Sequence, residues 1–171
     1  SSAARGDDPV AGAAATEDDS MRGGVVCGRV HDRNTAAWGG VAGHAGLFAT
    51  ASDVARLADH LLAIAEEREP APDTPLVTPG TLRYAWSEEA RGPGGHHLLG
   101  WDTPSGEPSS AGGPLQASDT VGHLGFTGTS VWIDRPRRLV VVLLTNRVYP
   151  SRDNDRIKPL RVALHEAAVD T

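Results

Sequence analysis

The stretch from Thr120 to Val148 constrains the fold more than any other. Thr129 to Ile133 and Leu139 to Thr145 are β-branched, apolar runs, and the polar Asp134-Arg135-Pro136-Arg137-Arg138 between them contains a proline. Two such runs joined by a polar turn are expected to pair as a hairpin. The second run is almost continuously apolar, which is the pattern of a strand covered on both faces. A cover is available at the end of the chain, where Ile157, Leu160, Ala163, Leu164 and Ala167 give a helix one apolar face.

Upstream, Thr50 stands three residues before Asp53 at the head of Val54, Leu57, Ala58, Leu61, Leu62 and Ala65, a capping box followed by apolar residues at spacings of three and four. A helix is expected there, closing near Pro70-Ala71-Pro72. Thr78-Pro79 opens a shorter helix through about Trp86. His97 to Trp101 suits a strand, and Thr103 to Ser118, rich in Pro, Ser and Gly, reads as an exposed excursion with little to bury. From Arg22 to Gly46, seven glycines imply a winding, packed loop. Ser1 to Met21 has no apolar periodicity and no basic start followed by an apolar run, so it reads as a loop or a cut end and not as a secretory signal. The resulting organisation is an N-terminal loop or cut end over 1–29 and a folded part over 30–171, of mixed α/β (α+β) class.

Length and composition exclude several functions. A chain of 171 residues supports one domain of ordinary size. No segment approaches the roughly 20 consecutive apolar residues of a membrane span. A net charge of −6 leaves no basic footprint for nucleic acid. The basic residues are fifteen Arg and one Lys, Lys158, so any chemistry needing a lysine must use that one. Cys27, the single cysteine, has no partner for a disulfide or a thiolate metal cluster and reads as buried or inert.

The residues that could carry chemistry lie in Gly122-His123-Leu124-Gly125-Phe126-Thr127-Gly128-Thr129-Ser130. Glycines at alternate positions of a strand clear side chains from its edge, so that an extended ligand can lie along it, and His123 can move a proton near neutral pH. A glycine bulge capped by His123 accounts for the same pattern, and on pattern alone the two readings stand level.

This motif, with Val30-His31-Asp32-Arg33-Asn34 and the run Gly39-Gly40-Val41-Ala42-Gly43-His44-Ala45-Gly46-Leu47-Phe48-Ala49-Thr50 before it, resembles the serine β-lactamase and penicillin-binding-protein superfamily, in its class C-like esterase and peptidase branch. The resemblance runs from about Val30 to the C-terminus. It implies three motifs: Ser-x-x-Lys for nucleophile and base, Tyr-x-Asn or Ser-x-Asn for proton transfer, and Lys-Thr-Gly or His-Thr-Gly on the strand beside the site. Only the third is present here. Asp155, not a serine, stands three residues before Lys158; Tyr84 leads to Trp86, Tyr149 leads to Ser151, and no Ser-x-Asn occurs. The chain therefore resembles the C-terminal portion of the β-lactamase/transpeptidase-like fold, an antiparallel sheet with a C-terminal helix packed on it.

By that resemblance His123 faces the nucleophile, the backbone N–H of Phe126 is the second donor of the oxyanion hole, and Leu124, Gly125 and Thr127 border the substrate. Leu124 departs from the usual Thr, which weakens the case for a carboxylate-bearing β-lactam. His31, Asp32, Asn34 and His44 are candidates for a surrounding shell, although Asp and Asn in a glycine-rich loop more often bond their own backbone. His96-His97 reads as an exposed pair rather than a metal site, and the resemblance implies no cofactor and no metal. It does imply a small-molecule ester, amide or β-lactam substrate and a complementary N-terminal half carrying the nucleophile. Without that half the chain is expected to be inert, and a non-catalytic remnant or binding module is the alternative. Asp7, Asp8, Glu17, Asp18 and Asp19 read as a solvated acidic stretch.

Overall fold

A computed structural model describes residues 9–68, 76–106, 109–115 and 118–170. Its centre is an antiparallel sheet of three strands, β3 (Thr120–Leu124), β4 (Ser130–Asp134) and β5 (Leu139–Leu143), in that order. Register is fixed by Val121 opposite Ile133 and by Trp132 opposite Val141. The expected hairpin is β4–β5. Its turn is held by the Asp134 carboxylate, which accepts from the Arg137 N–H at 3.1 Å and pairs with the Arg137 guanidinium.

Each face of the sheet has its own core, as the two-residue alternation of strand side chains requires. On one face, Val121 and Ile133 pack with Leu61 and Leu62 of the helix Ala51–Ala65 and with Leu82, Ala85 and Trp86 at the helix Pro79–Ala85. Thr50 caps the first of these helices in the expected box with Asp53, and Thr78 caps the second. On the other face, Trp132 and Val141 pack with Ala111, Leu115 and the helix Ile157–Val169.

Gly122 is forced by this packing. A Cβ there would lie 2.3 Å from the Trp132 ring and 2.2 Å from the Val131 carbonyl, so the ring can cross β3 only above a residue without a side chain.

The N-terminal part contradicts the expected loop. Ala15–Asp19 (β1) and Gly24–Cys27 (β2) form an antiparallel hairpin, and Arg33–Ala37 (α1) is a short helix capped by Asp32, whose carboxylate accepts from the Thr35 N–H at 2.7 Å. The helices Ala51–Ala65, Pro79–Ala85 and Ile157–Val169 are accordingly α2, α3 and α4. The hairpin docks on the segment after β5: the Asp18 N–H donates to the Pro150 carbonyl at 3.0 Å, and the Asn146 amide donates to Ala15 O.

The acidic stretch is solvated at Asp18 but not at the carboxylates on either side of it. Glu17 and Asp19 are buried, Glu17 against Arg152 and Asp19 against Arg33. Strand alternation turns both carboxylates the same way, where arginines from later in the chain meet them. Asp7 and Asp8 lie outside the described residues.

Further expectations need correction. His97 to Trp101 is not a strand but a tight turn closed by Leu98 N–H to Trp101 O at 2.8 Å, with single bridges at His97 to Asp102 and Asp102 to Gly122. In the 103–118 excursion, Thr103, Ser109, Ala111 and Leu115 are buried, because the segment folds back over Trp132. β5 is covered on both faces as expected, Val140 packing against the Val121 core and Leu139 and Val141 in the Trp132 core.

α4 buries Ile157, Arg161 and His165 and leaves Leu160 49% exposed, a face rotated from the one its apolar residues suggest. Two polar side chains set that rotation. His165 Nε2 lies 3.1 Å from Ser130 Oγ on β4, and Arg161 Nη2 donates to the carbonyls of Gly125 and Thr129 at 2.9 and 2.7 Å. Cys27 is exposed rather than buried. α2 ends at Ala65 with Glu66 as its cap, and the Pro70-Ala71-Pro72 stop lies outside the described residues.

Candidate functional site

The outer edge of β3 is occupied at one point and open after it. Asp102 and Gly122 exchange backbone hydrogen bonds of 2.7 and 3.0 Å, so residues 97–102 cover the edge at Gly122. Beyond it the chain turns sharply: the Gly125 N–H donates to Thr129 O at 2.8 Å and the Gly128 N–H to Gly125 O at 3.0 Å. A Cβ on Gly125 would fall 1.9 Å from Thr129 Oγ1, so glycine here leaves room for the Thr129 hydroxyl against the turn. Between these bonds the N–H of Phe126 has no hydrogen-bond partner among the described residues. It is an open donor at a strand terminus, where an extended acceptor can reach it.

His123 is exposed at the same end of β3, two positions after Val121 and hence on the α2 face of the sheet. Its Nδ1 lies 2.9 Å from Leu124 O, which leaves Nε2 as the nitrogen directed away from the backbone. The imidazole of His97 stacks on it with centroids 6.3 Å apart, and His97 Nδ1 lies 3.5 Å from the Asp102 carboxylate. His97 is thus an exposed neighbour of His123.

Leu124 packs its side chain among Trp132 and Leu164 on the opposite face, so only its backbone adjoins the open edge. Thr127 accepts the Arg147 N–H through its carbonyl at 2.8 Å.

Phe126 is held from three sides. Its carbonyl accepts from Arg147 Nε at 2.9 Å, the Arg147 guanidinium lies 4.7 Å from its ring centroid, and His31 stacks on it at 5.7 Å and 19°. His31 Nε2 meets Glu17 Oε2 at 2.8 Å, and Glu17 receives Arg152 through two bonds of 2.8 and 2.6 Å. Arg152 holds the Glu17 carboxyl down to about 2, against burial and with help from His31. Of the four candidates for a surrounding shell, the structure brings His31 to the site.

Asp32 and His44 pair with each other at 3.2 Å, with Thr35 at 3.1 Å from His44 and Trp38 edge-on to the His44 ring. The Thr35 bonds, then His44, hold the Asp32 carboxyl at about 2. Among the described residues no hydrogen bond, ion pair or ring contact joins Asp32, Asn34 or His44 to His123 or Phe126.

Glu17, Arg147 and Arg152 were not expected here. Their signal is weak in sequence, because a single acid on a short strand and arginines around Tyr149-Pro150 reveal their pairing only once β1 is docked. Among the described residues there is no group of three or more His, Cys, Asp or Glu suited to a metal ion, and no helix is long and apolar enough to cross a membrane.

The family model described as Beta-lactamase matches residues 2–166. The chain belongs to the beta-lactamase family. Among relatives of this beta-lactamase-family chain, the putative D-alanyl-D-alanine carboxypeptidase of Salmonella agona (strain SL483) is 34% identical over 146 residues, covering 82% of this chain and 32% of the relative. The protein of the same description from Salmonella enteritidis PT4 is 30% identical over 153 residues, with the same coverage; that from Salmonella typhi is 34% identical over 146. This family member therefore spans about a third of the length of the curated relatives it matches. No solved structure matches it. The family relates the chain to serine hydrolases, and the three-stranded sheet with α4 packed on it is consistent with part of the beta-lactamase fold.

Proposed function

We propose that this chain supplies the substrate-facing strand of a serine hydrolase working by acyl transfer on a small ester, amide or β-lactam, and that a complementary N-terminal half bearing Ser-x-x-Lys and Tyr-x-Asn supplies nucleophile and base. The observation that carries the reading is the partnerless N–H of Phe126 at the end of a strand edge that is covered at Gly122 and open beyond it. In acyl transfer, negative charge develops on the carbonyl oxygen, and a fixed N–H aimed at that oxygen stabilises it; removing one such donor costs roughly 10²–10³ in rate. The other donor of the hole would be the N–H of the nucleophile. His123, exposed beside the edge, would donate to or accept from the reacting network, as a positioned imidazole can near neutral pH. The names of the Salmonella relatives make a D-alanyl-D-alanine peptide the first amide substrate to try.

Covalent labelling tests this. With a fluorophosphonate or penicillin probe, the chain alone should take up no label, since no Ser-x-x-Lys stands in it. Addition of the complementary half should restore labelling at a serine of that half. Stoichiometric labelling at one of this chain's own serines would overturn the assignment of the nucleophile elsewhere. No label with the complementary half present would favour a non-catalytic binding module derived from the family.

A further inference from the structure

We infer that the cavity between α4 and the Gly125 turn is a binding site for a small oxyanion, a carboxylate or phosphate group. The cavity, of about 280 Å³, is bounded by the 124–126 stretch, by Ile157 and by four charged side chains, Arg147, Asp155, Lys158 and Arg161. It lies on the α4 face of the sheet, where Leu124 packs, and therefore across β3 from His123. Three cations converge there against one carboxylate. Asp155 is spent on two of them, 3.1 Å from Lys158 and 3.9 Å from Arg147.

Arg161 is the anomaly. It is only 8% exposed, no carboxylate of the described residues lies within ion-pair distance of it, and its Nε has no hydrogen-bond partner. A guanidinium taken out of water without a counter-charge is costly, and leaving one of its donors unmet adds to that. Burial and the neighbouring charge of Arg147 both act to lower its proton affinity, which an anion in the cavity would reverse. Two carbonyls occupy Nη2, so the turn already fixes the guanidinium plane, and an anion in the cavity would supply the counter-charge that Arg161 lacks, with Lys158 closing over it. Because the same guanidinium holds Gly125 O and Thr129 O, an occupant here would stiffen the turn that presents the Phe126 N–H.

Isothermal titration of the purified protein with inorganic phosphate and, separately, sodium acetate tests the site, with sodium chloride at matched ionic strength as reference. Saturable binding of phosphate or acetate beyond the chloride reference is expected, with the stronger of the two identifying the oxyanion class. Lys158→Glu, at an exposed position, should weaken it about fivefold or more. Arg161→Met should abolish it; should that variant fail to fold, Lys158→Glu decides. Absence of a saturable isotherm with both anions, or undiminished binding by Lys158→Glu, would overturn the inference. Binding is read without any acyl transfer, so its failure leaves the hydrolase proposal intact, and failure of labelling leaves this site intact.

Discussion

His123 and Phe126 stand three positions apart and present different groups: an imidazole on the α2 face and a main-chain N–H at the open edge. Their substitutions should separate accordingly. In the complemented enzyme, His123→Ala is expected to lower kcat/KM on a simple ester by about 10²-fold, the range of a positioned proton-transfer group. His44→Ala is the control, because His44 bonds Asp32 and Thr35 and touches neither residue of the edge. Steady-state kinetics on one ester for both variants would settle the assignment. A His123→Ala enzyme at full rate would confine the strand's part to its backbone. Leu124→Thr, which the family resemblance makes an obvious change, should not create a substrate contact, since the side chain at 124 points into the Trp132 core. It should instead cost stability by about 1–2 kcal/mol, visible as a lowered Tm, because methyl groups are withdrawn from packing and a hydroxyl is half-buried.

The elements show which features local sequence can dictate. Gly122→Ala adds one methyl group that meets both the Trp132 ring and the Val131 backbone, and neither can move without opening the β3–β4 ladder. A loss of at least about 2 kcal/mol is expected, measured by chemical denaturation; a loss under half that would mean the ring does not cross β3 as described. The helices α2 and α3, the β4–β5 hairpin and the glycine motif were legible because caps, periodicity and turn residues are local signals. β1 was not legible, since Ala15 to Asp19 is acidic and short, and becomes a strand only when Arg152 and Arg33 neutralise Glu17 and Asp19. The orientation of α4 was missed for a related reason. An apolar stripe predicts the buried face only when no polar side chain has a stronger claim, and Arg161 and His165 have one. His165 Nδ1 sits 3.1 Å from the Ser110 carbonyl, so it carries the proton and Nε2 accepts from Ser130; burial holds this imidazole below its usual range and hence neutral.

At the scale of the whole molecule, the β1–β2 hairpin is joined to the segment after β5 by the ion pair of Glu17 with Arg152, by the Asp18 N–H to Pro150 O, and by the Asn146 amide to Ala15 O and Thr16 O. The same carboxylate holds His31 over Phe126, so the attachment of the hairpin and the setting of the candidate oxyanion donor share one titrating group. Its folded pKa of about 2 lies below the ordinary 4.5, so the stabilisation it contributes is fully present above about pH 4.5 and is lost as pH falls through about 2. Asp32, held down to about 2 as well, titrates in the same window, but its bonds lie within the α1 cap and do not join the hairpin to the rest. His165 titrates elsewhere: its lowered pKa makes the protein lose stability as pH falls below about 6.5. Glu17→Gln therefore isolates the hairpin attachment. At pH 7 the variant should be less stable than the wild type by about 2 kcal/mol, the worth of a charge-assisted hydrogen bond. That gap should narrow between pH 4.5 and 2, where the wild-type carboxylate takes up its proton, while a His165-dependent slope near pH 6 persists in both proteins. Thermal melts of the two proteins from pH 7 down to 2 would show it. A gap that stays constant over that range would mean Glu17 stabilises the fold without its charge, and the ion pair with Arg152 would not be what holds the hairpin in place.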